Sequence, residues 1–132
     1  MTQQLVKDLM VAPVISISPF APLREALQQM KNHQIKCLVV ERQSVHDAYG
    51  IITYSHILKT IIAEQGDIDL INVYDVCTKP AIHVHSELAV KYAAELLTQH
   101  QMKRLLVMDN NQLVGLLTMD DMVTDVFRLL ES

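Results

Sequence analysis

The chain has 132 residues, half of them hydrophobic and a fifth charged, which is the make-up of a packed globular protein and not of a disordered one. Eleven basic residues against fifteen acidic ones leave a formal net charge of −4, which argues against a nucleic-acid partner, because phosphate backbones need a basic face. No run approaches the roughly 18 apolar residues of a membrane span, and residues 1–8 lack the basic-then-apolar pattern of a secretion signal. A cytoplasmic protein is therefore expected, with Cys37 and Cys77, which have no metal-ligand or CxxC spacing, as reduced packing residues.

The first predicted element is a short strand in which Ile15 and Ile17 alternate with Ser16 and Ser18. An amphipathic helix follows, with Leu23, Ala26, Leu27 and Met30 at i, i+3, i+4 and i+7, and with Pro22 in its first turn. A hairpin begins with Cys37–Val40. A second helix starts near Thr53, its stripe formed by Ile57, Leu58, Ile61 and Ile62, and residues 64–72, with Gly66 and two aspartates, form a linker.

The same order then repeats. A shift of 67 residues places Val6, Asp8, Pro13, Ile15, Ala26, His33, Gln34, Lys36, Leu38 and Val40 on identical residues, from Val73 to Val107. The offset then drops to 65, pairing Gly50 with Gly115 and Thr53 with Thr118, so the first copy carries two extra residues in a loop. In the second copy the strand is Ile82–Val84 and the helix stripe is Val90, Ala93, Ala94 and Leu97. The hairpin is Leu105–Met108, a turn at Asp109-Asn110-Asn111, then Leu113–Leu117. The last helix carries Met119, Met122, Val123, Val126, Phe127 and Leu130. The reading is an α+β (α/β) fold of two β-α-β-β-α repeats related by a pseudo-two-fold axis, residues 1–63 and 73–132. A single copy buries too little surface to stand alone, so the two are expected to form one composite module.

Several residues could carry chemistry. Gly115, Thr118 and Asp121 sit where a strand enters a helix, and a helix N-terminus is suited to phosphate. A hydroxyl there can donate to a phosphate oxygen, and a carboxylate one turn on can accept from ribose hydroxyls. The same spacing also reads as a capping box that needs no ligand. His83 and His85 share one strand face without a third metal ligand, so no metal site is expected. His33 and His100 end equivalent helices, where an imidazole favours the dipole. No nucleophile, base and orienting group recur together, so no catalytic residue is assigned.

Taken in order, Val6-Lys7-Asp8-Leu9-Met10, Pro13, Leu38-Val39-Val40 and Gly50-Ile51-Ile52-Thr53 resemble the CBS domain family, named after cystathionine β-synthase. The second copy supplies Val73-Tyr74-Asp75-Val76, Pro80, Leu105-Leu106-Val107 and Gly115 to Asp121. The resemblance implies a regulatory module that binds AMP, ADP, ATP or another adenosyl compound in the cleft between its repeats. It implies no obligatory cofactor, a homodimer, and a regulated protein whose identity is not encoded here. The family's Gly-x-x-Ser/Thr-x-x-Asp signature is complete at Gly115, Thr118 and Asp121. By the same resemblance Val14, Ile15, Lys36 and Cys37 wall the adenine, and Lys103 and Arg104 face the phosphates. In the first copy His56 replaces the carboxylate, so a second site of Thr53, His56, Ala81 and Ile82 is expected to be weak or empty. The alternative is a scaffold or dimerisation module that binds no ligand.

Overall fold

A computed structural model describes residues 3–131. The chain falls into two compact units, Ile15–Ala81 and Met1–Val14 with Ile82–Ser132. The boundaries of these units differ from those of the sequence repeats. The segment before Val14 packs with the second repeat, and Val73–Ala81 packs with the first.

The contiguous unit holds β1 (Ser16–Ile17), α2 (Leu23–His33), β2 (Cys37–Val40), β3 (Gly50–Thr53), α3 (Tyr54–Ile57) and α4 (Val73–Val76). Its three strands lie in the order β1-β2-β3, β1 parallel and β3 antiparallel to β2. A parallel neighbour needs a crossover, which α2 provides. Leu23, Ala26 and Met30 of its stripe are buried with Leu38, Val40, Ile52 and Val73 in one core. Pro22 stands one place earlier than expected, as the extended N-cap of α2 and not in its first turn. Ile15 lies outside β1, although its carbonyl still accepts from Val39 N–H at 3.1 Å.

After α3 the backbone widens into a π-helical turn, Leu58–Ala63. The predicted stripe therefore splits: Ile57 is buried and Ile61 packs on the core, whereas Leu58 and Ile62 are exposed. The segment read as a linker is bound in place. Ile68 and Ile71 carbonyls accept the Arg24 and Leu23 N–H groups at 3.0 and 2.9 Å, satisfying donors that the start of α2 would otherwise leave open. Asp69 holds Arg24 through both of its oxygens, at 2.6 and 2.8 Å.

The second unit repeats the plan with α1 (Val6–Leu9), β4 (His83–His85), α5 (Val90–Gln99), β5 (Arg104–Asp109), β6 (Gln112–Thr118) and α6 (Met119–Phe127), followed by a 3-10 turn, Arg128–Glu131. Its sheet order is β4-β5-β6. Asn110 and Asn111, both at positive φ, make the two-residue turn between Asp109 and Gln112, as a tight hairpin demands. Val6, Val84, Ala93, Leu97, Leu105, Val107 and Leu117 form its core. The last helix departs from expectation. Met119 and Met122 pack on the core, but Val123, Val126, Phe127 and Leu130 of the same stripe are exposed.

Candidate ligand site

β6 runs directly into α6, and Thr118 is the hinge between them. Its backbone is extended, as an N-cap requires, and its Oγ1 accepts the Asp121 N–H at 3.1 Å. In return Asp121 Oδ2 accepts the Thr118 N–H at 2.9 Å. The capping box foreseen for this pair is therefore formed. It uses one carboxylate oxygen and one lone pair of the hydroxyl. The Thr118 O–H proton is still available to donate, and Oδ1 of Asp121 bonds to no described residue.

Neighbouring groups are fixed by the sheet. Arg104 stands opposite Thr118 in the β5–β6 register, and the Lys103 carbonyl accepts the Met119 N–H at 2.9 Å. The bases of both side chains are thus held beside the start of α6. Gly115 lies against Met10: a Cβ added to this glycine would come within 2.9 Å of Met10 Cγ, so any side chain here would push the Met10 side chain aside. That segment is tied to β6 by reciprocal backbone bonds between Val11 and Leu116, at 2.8 and 3.0 Å. Ile82 enters the same unit through its carbonyl, which accepts the Leu106 N–H at 3.0 Å, and Val14 also belongs to this unit.

The other unit gathers Ile15, Lys36, Cys37, Thr53, His56 and Ala81. Cys37 is buried opposite Thr53, and the Lys36 carbonyl accepts the Tyr54 N–H at 3.0 Å, matching the Lys103 arrangement. At this junction Thr53 N–H donates to His56 Nδ1 at 3.0 Å, so the imidazole replaces the carboxylate in the cap. A backbone N–H can only donate. Nδ1 is therefore the bare nitrogen, and Nε2 carries the proton that it gives to Thr78 Oγ1 at 3.0 Å. Sequence reasoning missed Thr78, which stands where the other unit has Val11; only the 67-residue shift could have drawn attention to it.

Among the described residues no group of three His, Cys, Asp or Glu could hold a metal ion. Both nitrogens of His85 have partners within the chain, Nδ1 the Glu87 N–H at 3.0 Å and Nε2 the Asp109 carboxylate at 3.6 Å. Cys77 is a half-buried thiol whose pKa is pushed above the usual 9.0, chiefly by burial.

The family model for the CBS domain matches twice, over residues 6–63 and 73–128, and the chain belongs to this family as a tandem CBS pair. It is similar to the CBS domain-containing protein YhcV of Bacillus subtilis (strain 168), 30% identical over 120 residues, or 91% of this chain and 84% of the relative. The hexameric CBS-CP12 protein of bloom-forming cyanobacteria has a similar structure, with a TM-score of 0.87 at 28% identity over 93% of this chain and 68% of that one. The CBS domain pair of protein MJ0100, solved with 5′-methylthioadenosine and S-adenosyl-L-methionine, gives a TM-score of 0.79 at 25% identity, covering 94% and 99%. Among the described residues no helix is long and apolar enough to cross a membrane.

Proposed function

We propose that this CBS pair is a cytoplasmic, non-catalytic sensor that binds an adenosine-containing ligand at the Gly115–Asp121 junction and thereby regulates a partner protein. The carrying observation is the chemistry left over once the α6 cap is made: a hydroxyl proton on Thr118 and the Oδ1 acceptor of Asp121, one turn apart. The Asp120 N–H, second in the helix, bonds to no described residue and suits a phosphate oxygen. Lys103 and Arg104 begin beside it and supply positive charge for AMP, ADP or ATP. A ribose diol can donate to Asp121 Oδ1. The adenosyl ligands of the MJ0100 pair support this ligand class.

The two junctions are unequal in this reading. His56 spends Nδ1 on the Thr53 amide and Nε2–H on Thr78, so its ring has no acceptor for a sugar. The bare stripe of Val123, Val126 and Phe127 supports a homodimer in which a second copy covers it. A ligand-free dimerisation module is the second reading, favoured by the cap that Thr118 and Asp121 complete without a ligand.

Calorimetry with AMP, ADP, ATP and S-adenosylmethionine distinguishes these readings. Asp121→Asn keeps a carbonyl oxygen for the Thr118 N–H but replaces the second oxygen with an amide donor. It should abolish binding with little loss of stability, whereas His56→Ala should leave binding intact. No heat with any of the four compounds would overturn the sensor reading, and equal losses in both variants would overturn the inequality of the two junctions.

A further inference from the structure

The same surface position is built in opposite chemistry in the two units. In one, Val73 and Tyr74 N–H groups donate to the Ala21 and Pro19 carbonyls, forming a short ribbon in which Pro22 pairs antiparallel with Asn72. Ala21, Leu23 and Val73 point inward and are buried, so Phe20 and Tyr74 point outward. Their rings meet edge to face, centroids 6.0 Å apart and planes at 70°, yet Phe20 is 64% and Tyr74 52% exposed. Leu70, at the turn that feeds the ribbon, is 79% exposed.

In the other unit Val6 and Lys7 N–H groups donate to the Leu88 and Ser86 carbonyls, and Leu5 pairs with Ala89. The 67-residue shift places Phe20 on Glu87, Tyr74 on Lys7 and Leu70 on Gln3. Lys7 and Glu87 form an ion pair at 2.7 Å. The fold therefore accepts a fully polar pair at this position, and an exposed aromatic pair is not something the ribbon requires. Acidic side chains flank it, of which Asp75 has an exposed counterpart in Asp8 of the other unit. Glu25, Asp67 and Asp75 flank the aromatic ribbon along the chain as exposed carboxylates, and the nearby Arg24 is already held by Asp69.

We infer that the Phe20–Tyr74 ribbon is a docking surface for a short partner peptide that carries an apolar or aromatic side chain between lysines or arginines. The carboxylate rim sets the sign of the peptide, and the two rings provide stacking faces for its apolar side chain and for cations. Size argues against a second copy as occupant. Phe20, Tyr74 and Leu70 expose roughly 350 Å² together, taking about 150–250 Å² for a whole aromatic side chain, whereas a stable interface with a globular partner takes about 800 Å² on each side. This inference does not depend on whether a nucleotide binds.

The test uses the whole chain and a fluorescein-labelled peptide, Gly-Lys-Leu-Lys-Trp-Lys-Gly, with a counterpart bearing glutamate at every lysine. Phe20→Glu/Tyr74→Lys installs the pair that the other unit already uses and leaves net charge unchanged, so general attraction of cations stays constant. The lysine peptide should bind the wild type, lose at least about tenfold in affinity in the double variant, and outbind the glutamate peptide. Phe20→Ser and Tyr74→Ser should each weaken binding as well, which keeps the test valid if the double variant does not fold. Equal affinity in wild type and variants, or no preference between peptides, would overturn the proposal. So would a fall in sedimenting mass on substitution, since the ribbon would then be a contact between copies.

Discussion

His56 Nε2 donates to the Thr78 hydroxyl across 3.0 Å, joining the start of α3 to the segment that follows α4. Thr78 also exchanges two backbone bonds with Ile51, each 2.9 Å, so the side-chain bond reinforces an existing bridge. Thr78→Val keeps the shape and copies Val11 of the other unit, but leaves Nε2–H with one partner fewer. A loss of about 1 kcal/mol in urea unfolding is expected. An unchanged midpoint would show that solvent replaces the hydroxyl fully.

The α6 cap offers a second measurement. Thr118→Ala removes the acceptor of the Asp121 N–H and should cost about 1 kcal/mol. Asp121→Asn should cost clearly less, because the bond to Thr118 N–H survives. Chemical denaturation of both variants gives the comparison, and a reversed order would contradict the bonding described here.

Gly66 has little room. A Cβ there would lie 2.9 Å from the Thr60 carbonyl oxygen and 2.5 Å from Ile71 Cδ1. The same carbonyl accepts the Gly66 N–H at 2.9 Å, so the backbone cannot simply move away. Gly66→Ala should destabilise by about 1–3 kcal/mol, the usual cost of overpacking. The thermal midpoint of the variant reports it.

One half-buried and one exposed carboxyl make a small contribution with a definite sign. A hydrogen bond from Lys79 holds Asp47 below its usual 3.8, aided by the Gln43 amide, and Arg24 does the same for Asp69. A depressed folded pKa gives stabilisation that is complete above the unfolded value and is lost as pH falls through the folded one. Wild-type stability should therefore decline as pH drops below about 4. In Asp47→Asn/Asp69→Asn that decline should be shallower. Urea midpoints at pH 6, 4 and 3 test this, and parallel curves would contradict it.

Burial raises the Cys77 thiol above 9.0, leaving less thiolate at neutral pH. Cys37 is buried within β2. Iodoacetamide at pH 8 should therefore label both more slowly than free cysteine, and rapid labelling of either would rule out an inert packing role.

Much of the fold was legible because the chain states it twice. Ala26 and Met30 matched Ala93 and Leu97 in spacing and in burial, and the two asparagines of the β5–β6 hairpin announced their turn. The Thr118–Asp121 pair was equally visible. What stayed hidden depended on partners far along the chain. Leu58 and Ile62 satisfied a helical stripe, yet periodicity cannot show where a helix widens by one residue per turn. Val123 and Phe127 satisfied one too, although a stripe reveals only that a face is apolar and not that this chain covers it. The assignment of α1 to the second unit escaped for a similar reason. Val6 is fully buried, but four helical residues carry no mark of which half receives them.

That exchange of segments bears on how the chain is made. Ile15–Ala81 is continuous and can close as soon as Ala81 has left the ribosome, whereas the residues before Val14 emerge ahead of it and have no seat until Ile82 and its successors follow. A stretch synthesised ahead of that continuous unit thus settles only after it, by crossing back to strands translated long afterwards.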